Sequence, residues 1–492
     1  MQNTYELPRA TPESQGISST AIRSFLAGIA DNHLDLHGLM MIRHGHVVAE
    51  GWWTPYQADR QHIAYSLTKS LSSMAIGFAV EEGLLSVEDA VLDYFPEEAT
   101  EAIKANMGGL KIRHLLTMST GHTKDTARFD MFQSWLSDHV TPKVGDRSDR
   151  NWIKGFFEQP IEREPGSFFL YNSGASHMLS ALVQRVSGLA LPDYLMPRLF
   201  EPLGIERPVW DSAPNGEATG GWGARLKTED WARFGQMLLD KGMFNGKRII
   251  SAEWIEQATA KQIDNINHGE VVTGSGTDWQ QGYGYQFWRC RHGAYRGDGA
   301  FGQFCVVLPG QDAVIAINSG VQDMQLVLDL IWEHLLPAML PSSLPENEAE
   351  LACLREKLGS LVLLERTGHP RPLFAEGTIH YKVEQNEDGV TELCLIFGRE
   401  VTTLLWSDAA GSHRLDSGHQ QWYYGNELAN EAVAARATWL SSDTLVFDIC
   451  RVFTPYHDEV ICTFSGERIT IAYKHFDFVN RHGELAGERL SN

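Results

Sequence analysis

Apolar positions change their period several times along the 492-residue chain. Over 18–31 (SSTAIRSFLAGIAD) Ile22, Phe25, Leu26 and Ile29 recur at helical spacing behind a serine, which predicts an amphipathic helix with a serine cap. The runs 39–43 and 47–51 then flank His44-Gly45-His46 and predict an antiparallel hairpin, with the His-x-His pair as turn residues rather than metal ligands. Residues 66–82 (SLTKSLSSMAIGFAVEE) are nearly apolar after the first turn and stop at Gly83, the pattern of a buried helix with a glycine terminator. A second such helix is expected from Asn172 to Gly188, and a third over 228–240 (TEDWARFGQMLLD) with a threonine cap and an acidic first turn. The runs 283–289, 294–296, 304–308 and 313–318 predict consecutive strands, and 322–339 a closing helix.

Helices in the middle with strands at both ends imply an α+β domain whose antiparallel sheet, flanked by helices, is assembled from both ends of the segment. The stretch Pro341-Ser342-Ser343-Leu344-Pro345-Glu346 reads as a linker. The expected division is therefore a domain over 1–341, a linker over 342–349, and a separate β-rich domain over 350–492. In that last segment a short helix near 347–359 precedes alternating runs such as 378–383, 392–397, 445–451, 460–464 and 469–473, which predict a sandwich or small barrel.

Composition narrows the function more than the fold. With 63 acidic against 41 basic side chains the formal charge is −22, which repels phosphate backbones and anionic lipid, so neither nucleic acid nor a membrane is an expected partner. The first residues lack a secretory signal and no apolar run reaches about 18 residues. The six cysteines are scattered without CxxC or finger spacing, so reduced thiols and a cytoplasmic location are expected.

The sharpest chemical signal is Ser66-Leu67-Thr68-Lys69. Residues three apart share a helical face, so Lys69 can take the Ser66 hydroxyl proton if burial lowers its own pKa, and the helix N-terminus adds free N–H groups. SLTKS with its small-residue helix and GLLSVEDAVLDYFPE, then KIRHLLTMSTGH, FLYNSGASHMLSALVQRVSG and LKTEDWARFGQMLLDKGMFNGKRIISAEWI, resemble the class C β-lactamase-related serine hydrolases. That superfamily also holds penicillin-binding DD-peptidases, D-aminopeptidases, esterases and 6-aminohexanoate-dimer hydrolases. The resemblance covers roughly residues 10–340 and stops short of 350–492. It implies a serine β-lactamase/DD-peptidase-like fold with a helical subdomain, Ser66 as the acylated nucleophile, Lys69 as its activator and Tyr171 as shared general base and acid. The family's Tyr-x-Asn motif is matched by Tyr171-Asn172-Ser173, so Ser173 or a shifted Asn172 has to replace the missing amide, while Asn172 or Ser173 also suits a helix cap.

For the family's Lys-Thr-Gly motif the chain offers Gly297-Asp298-Gly299, without the lysine that holds a substrate carboxylate. An uncompensated Asp298 there would repel a carboxylate, which disfavours β-lactams. Arg296 can offset the charge, although strand alternation sends it to the face opposite Gly297. The resemblance places the oxyanion hole on the backbone N–H groups of Ser66 and Ala300. Trp222, Tyr283, Tyr285, Phe287 and Trp288 are aromatic candidates to line the substrate pocket, with Trp222 and Tyr285 preferred. The spelling Gly297-x-Gly299-x-x-Gly302 is rejected as a dinucleotide site, because a strand rather than a helix follows it. The resulting expectation is a serine hydrolase of small esters, amides or peptides that uses no metal and no cofactor. Its rivals are a β-lactamase or DD-peptidase/D-aminopeptidase of the same fold, and a non-catalytic penicillin-binding-like sensor or scaffold. Trp422, Tyr423 and Tyr424, read as exposed, leave a homo-oligomer open as one role for the last segment.

Overall fold

Ser18 caps the first helix as the pattern requires: its side chain accepts from the Ala21 N–H at 3.1 Å, and Ile22, Phe25, Leu26 and Ile29 of the Ser19–Asp31 helix are buried. The computed structural model describes residues 6–107, 109–127, 151–266, 277–409, 411–428, 431–478 and 480–490. Two units divide the chain, one of Met1–Gly51 with Gln61–Gly359 and one of Trp52–Arg60 with Ser360–Asn492.

In the first unit six strands lie in the order His46–Trp52, Leu36–Arg43, Ala313–Ser319, Gln303–Leu308, Tyr295–Gly299, Trp288–Arg289. The sheet thus draws on both ends of the segment, with Met40 opposite Ala316 and Cys305 opposite Gly297 in antiparallel ladders. The Leu36–Arg43, Gln303–Leu308 and Ala313–Ser319 strands are buried along their whole length, so both faces are covered and the sequence shows continuous apolar runs instead of alternation. The Thr68–Glu81 helix is buried from Thr68 to Ala79, which explains its lack of a polar face.

Several elements depart from the sequence expectation. The run 283–289 joins the sheet only at Trp288–Arg289, because Gln286 sits at φ 66° and turns its buried amide inward. That amide donates to the carbonyls of Leu115 (3.1 Å) and Leu116 (2.9 Å) and accepts from Ser176 Oγ (2.7 Å), while the Gln286 carbonyl accepts from Ser70 Oγ at 3.0 Å. One side chain therefore ties together the helices that carry the candidate site. The Thr228–Leu239 helix is capped by Asp230, which accepts from the Lys227 N–H at 2.9 Å; Thr228 instead donates to Asn318 on the sheet at 2.8 Å. The expected 322–339 helix is Met324–Leu330 followed by a wider turn at Ile331–Leu335 and a tighter one at Leu336–Ala338, where Pro337 has no N–H to continue the ladder. Beyond 342–347 the Glu348–Gly359 helix belongs to the first unit, held by an Arg23–Glu350 ion pair at 2.6 Å.

The second unit is a barrel rather than a sandwich. Among its described residues, nine strands follow one another from Gly411–His419 through Val401–Asp408, Glu392–Phe397, Gly377–Val383, His482–Arg489, Arg468–Phe476, His457–Ser465 and Thr444–Arg451 to Glu431–Trp439. Gly418 and His419 then pair in parallel with Arg436 and Ala437 and close the circle, with Tyr423–Leu428 as an added strand. Ile379, Leu395, Leu415, Phe447 and Ile471 fill the interior. Trp422, Tyr423 and Tyr424 are half-buried instead of exposed: the Arg436 guanidinium lies 4.6 Å from the Trp422 ring centre, and Tyr424 donates to the Pro55 carbonyl at 3.3 Å. Residues 52–60 are part of this unit, where Thr54 pairs with Val362 and the Tyr56 hydroxyl donates to the Thr454 carbonyl at 2.9 Å. Among the described residues no helix is long and apolar enough to cross a membrane.

Candidate active site

A short tight turn, Tyr65–Leu67, leads into the Thr68–Glu81 helix and sets Ser66 at its entrance. One turn on, Lys69 is 1% exposed; its Nζ lies 2.8 Å from Ser66 Oγ and donates to the Gly221 carbonyl at 2.7 Å. Burial lowers the Lys69 pKa to about 7, an effect that the carboxylates of Asp125 and Asp298 oppose. A neutral amine that has already spent one donor on a carbonyl can accept the serine proton.

Tyr171 completes the cluster. Its hydroxyl is hydrogen-bonded to Ser66, its ring centre lies 4.8 Å from Lys69 Nζ, and it stacks on Trp288 at 5.4 Å. Met118, Phe169, Trp279 and Tyr283 form the apolar wall behind it. Burial, with Asp298 adding to it, pushes the phenol well above its ordinary pKa, so it keeps its proton at neutral pH and has one to donate.

The strand Tyr295–Gly299 closes on this cluster. A Cβ added at Gly299 would stand 2.0 Å from the Ala64 carbonyl and 3.1 Å from the Ser66 nitrogen, so only glycine lets the strand end come this close to the Ser66 backbone, and Ala300 follows directly. At Gly297 a Cβ would meet Leu67 Cδ1 at 2.5 Å and Ser70 Oγ at 2.6 Å. A side chain there would have to displace both, so Gly297 packs against the helix entrance. Asp298 is not uncompensated as expected: the fully buried Arg296, two residues back on the same strand face, donates Nε to its Oδ2 at 2.8 Å. Burial raises the Asp298 pKa and Arg296 counters it. Tyr65 at φ 45° and Phe301 at φ 62° hold left-handed backbone beside these elements, a conformation that costs about 1–3 kcal/mol for a residue other than glycine.

Other expected residues are placed differently. Asn172 is fully buried and caps the Ser173–Ser187 helix, its Oδ1 accepting from the Ala175 N–H at 3.2 Å and from Thr126 Oγ1 at 2.8 Å. Ser173 donates its N–H to Asp125 Oδ1 at 2.9 Å. The Trp222 ring packs on Trp152 at 5.6 Å, next in sequence to the carbonyl that holds Lys69. Tyr285 lines a separate cavity of 450 Å³ with Glu88, Arg113 and His114; Ser66, Lys69 and Tyr171 do not line it. Sequence reasoning missed Asp125, one of 63 acidic residues with no local motif, and Gln286, whose role depends on three elements that only the fold brings together.

Comparison with known proteins gives this geometry a lineage. The family profile described as Beta-lactamase matches residues 25–333. The chain belongs to the beta-lactamase family. As a member of that family it is a serine hydrolase, and its own Ser-x-x-Lys and tyrosine cluster lies inside the matched segment. This beta-lactamase-family chain is 26% identical over 300 residues to the 6-aminohexanoate-dimer hydrolase of Paenarthrobacter ureafaciens, covering 58% of this chain and 72% of that protein. It is 25% identical over 166 residues to the lovastatin esterase of Penicillium rubens, covering 31% of this chain and 40% of that enzyme. Among solved structures, EstCE1, a hydrolase with promiscuous acyltransferase activity, superposes with a TM-score of 0.50 at 15% identity, covering 64% of this chain and 98% of that one; the likeness is one of fold.

Proposed function

We propose that this protein hydrolyses small, neutral esters or amides through an acyl-enzyme on Ser66. The observation that carries the reading is the 2.8 Å approach of a buried Lys69 Nζ to Ser66 Oγ with the Tyr171 phenol beside both. Ser66 Oγ adds to the substrate carbonyl carbon and passes its proton to Lys69 Nζ. Tyr171 gives its proton to the leaving oxygen or nitrogen as that bond breaks, and regains one from the Lys69 ammonium. Water then repeats the sequence on the acyl-serine, releasing the acid and restoring the Ser66 hydroxyl. Backbone N–H groups of Ser66 and Ala300 serve as donors to the oxyanion of each tetrahedral intermediate.

Neutral substrates are favoured because the Arg296–Asp298 pair is self-contained and Gly297 offers no cation to a carboxylate. This weighs against a β-lactamase or carboxypeptidase specificity. An ester and an amide both suit the site, as the names of the two curated relatives would suggest for those proteins. The test is covalent: incubation with a short-chain p-nitrophenyl ester, acid quench and peptide mass analysis. The acyl mass is expected on the peptide containing Ser66, and an acyl group found only on another residue would remove the mechanism.

Lys69 acts in its neutral form, so kcat/KM for a neutral ester is expected to rise with pH through about 7. Asp125 stabilises the ammonium, and Asp125→Asn keeps the Oδ1 acceptor for Ser173 while removing the charge. The rising limb is therefore expected to move to lower pH in this variant. A limb that stays in place or moves up, in a pH–rate profile of the same ester, would separate Asp125 from the proton transfer.

A further inference from the structure

We propose that Tyr65 and Phe301 are positioning residues whose rings clamp the Ser66 and Ala300 backbones so that both N–H groups face one developing oxyanion; this rests on the acyl-enzyme reading above. Each residue adjoins one of the two donors. Tyr65 precedes Ser66, and its backbone rotation orients the peptide plane that carries the Ser66 N–H. Phe301 follows Ala300 at the tip of the hairpin between Tyr295–Gly299 and Gln303–Leu308.

Both residues hold left-handed backbone, at φ 45° and 62°, where bulky side chains are rare. The Gly302 N–H donates to the Gly299 carbonyl at 3.1 Å, so Ala300 and Phe301 are the central residues of a turn whose positive φ falls at the second, a position that selects glycine or asparagine. Turn chemistry therefore does not account for a phenylalanine there. The side chains supply a reason: the two rings meet at 5.8 Å between centres with a 52° tilt, and the residues are only 3% and 8% exposed. The contact joins the nucleophile turn to the hairpin tip from the side-chain direction.

The hairpin tip is tied down from its other side by polar groups. Ser319 Oγ donates to the Phe301 carbonyl at 2.7 Å, the Val321 N–H donates to the same carbonyl at 3.1 Å, and Gln303 Nε2 donates to the Ala300 carbonyl at 3.2 Å. Below it, the approach of Gly299 to Ala64 and Ser66 leaves no space for a side chain. The Ala300 N–H shares its peptide plane with the Gly299 carbonyl, which accepts from the Gly302 N–H at 3.1 Å; with the next two carbonyls also held and the rings packed together, that plane has little freedom to rotate, which is the preorganisation an oxyanion site needs. Strain kept at two adjacent positions and opposed by a ring contact is the pattern of a site selected for geometry over stability.

The test separates geometry from folding. Phe301→Gly relieves the backbone strain but deletes a buried ring, so its Tm is expected to fall, while kcat for a p-nitrophenyl ester, measured well below that Tm and scaled to the folded fraction, falls by about 30-fold or more. KM is expected to stay within about threefold, and affinity for an alkyl trifluoromethyl ketone, whose carbonyl takes up Ser66 Oγ to form a tetrahedral alkoxide, to fall in parallel with kcat. Phe301→Tyr, which restores a ring, should recover most of the loss, and Tyr65→Gly should reproduce it from the other side. A folded Phe301→Gly protein with kcat within about threefold of the parent, or a loss matched by the unfolded fraction, overturns the clamp. Hydrolysis that survives Ser66→Ala overturns the acyl-enzyme reading itself, so the two failures are distinguishable.

Discussion

Ser66→Ala is expected to lower kcat for ester hydrolysis by about 10⁴-fold or more, which corresponds to about 5 kcal/mol or more of transition-state stabilisation. The size follows from what the alanine leaves behind. Lys69 and Tyr171 remain in place, but they have no hydroxyl between them to deprotonate, and the only remaining route is direct attack by water. The change removes one oxygen from the helix entrance, so circular dichroism and Tm are expected to match the parent protein. Turnover within about tenfold of the parent, measured with the same ester in a preparation free of host esterases, would end the case for a serine nucleophile at this position.

Lys69→Met is expected to remove about 10³-fold or more of the activity and to stabilise the protein at the same time. In the unfolded chain the ammonium titrates near 10.5, whereas burial lowers it to about 7 in the native state. Between those values the unfolded chain binds the additional proton, so the native state gains stability as pH rises from 7 towards 10.5 and is most penalised below 7. Methionine has no charge to bury. Its advantage at pH 6 is about 5 kcal/mol from the shift, reduced by about 1–3 kcal/mol because the Gly221 carbonyl loses its donor. Urea denaturation at pH 6 and at pH 9.5 checks the sign: the gain is expected to be larger at pH 6. A variant less stable than the parent at both values would mean that Lys69 is not held under strain.

These outcomes depend on residues that were legible in the sequence to different degrees. Ser66 and Lys69 were readable because one turn of helix joins them, and Tyr171 because its block lies at the start of another helix. The six-stranded sheet was readable in outline, since apolar runs at both ends of the first unit can pair with one another. The content of the pocket was less accessible. Gly297 reads as a lost lysine, yet only the proximity of Leu67 and Ser70 shows that a side chain at this position would have to displace them. Arg296 and Asp298 are two residues apart, but that they neutralise each other requires knowing that both are buried on one face. The run 283–289 has the composition of a strand, and the inward turn of Gln286 is fixed by carbonyls 170 residues away in the sequence. Long-range polar contacts of this kind leave no periodicity to read.

The nine residues Trp52–Arg60 give the chain an unusual genetic constraint. They are encoded upstream of Ser66, yet their partners are Val362, Thr454 and Tyr424, encoded about 300 to 400 codons later. The barrel is thus no detachable cassette. A stop codon after 359 would leave Trp53 and Tyr56, now 7% and 5% exposed, without their cover a few residues ahead of Ser66. Any natural exchange or laboratory graft of the barrel onto a relative has to carry two separated stretches of coding sequence together.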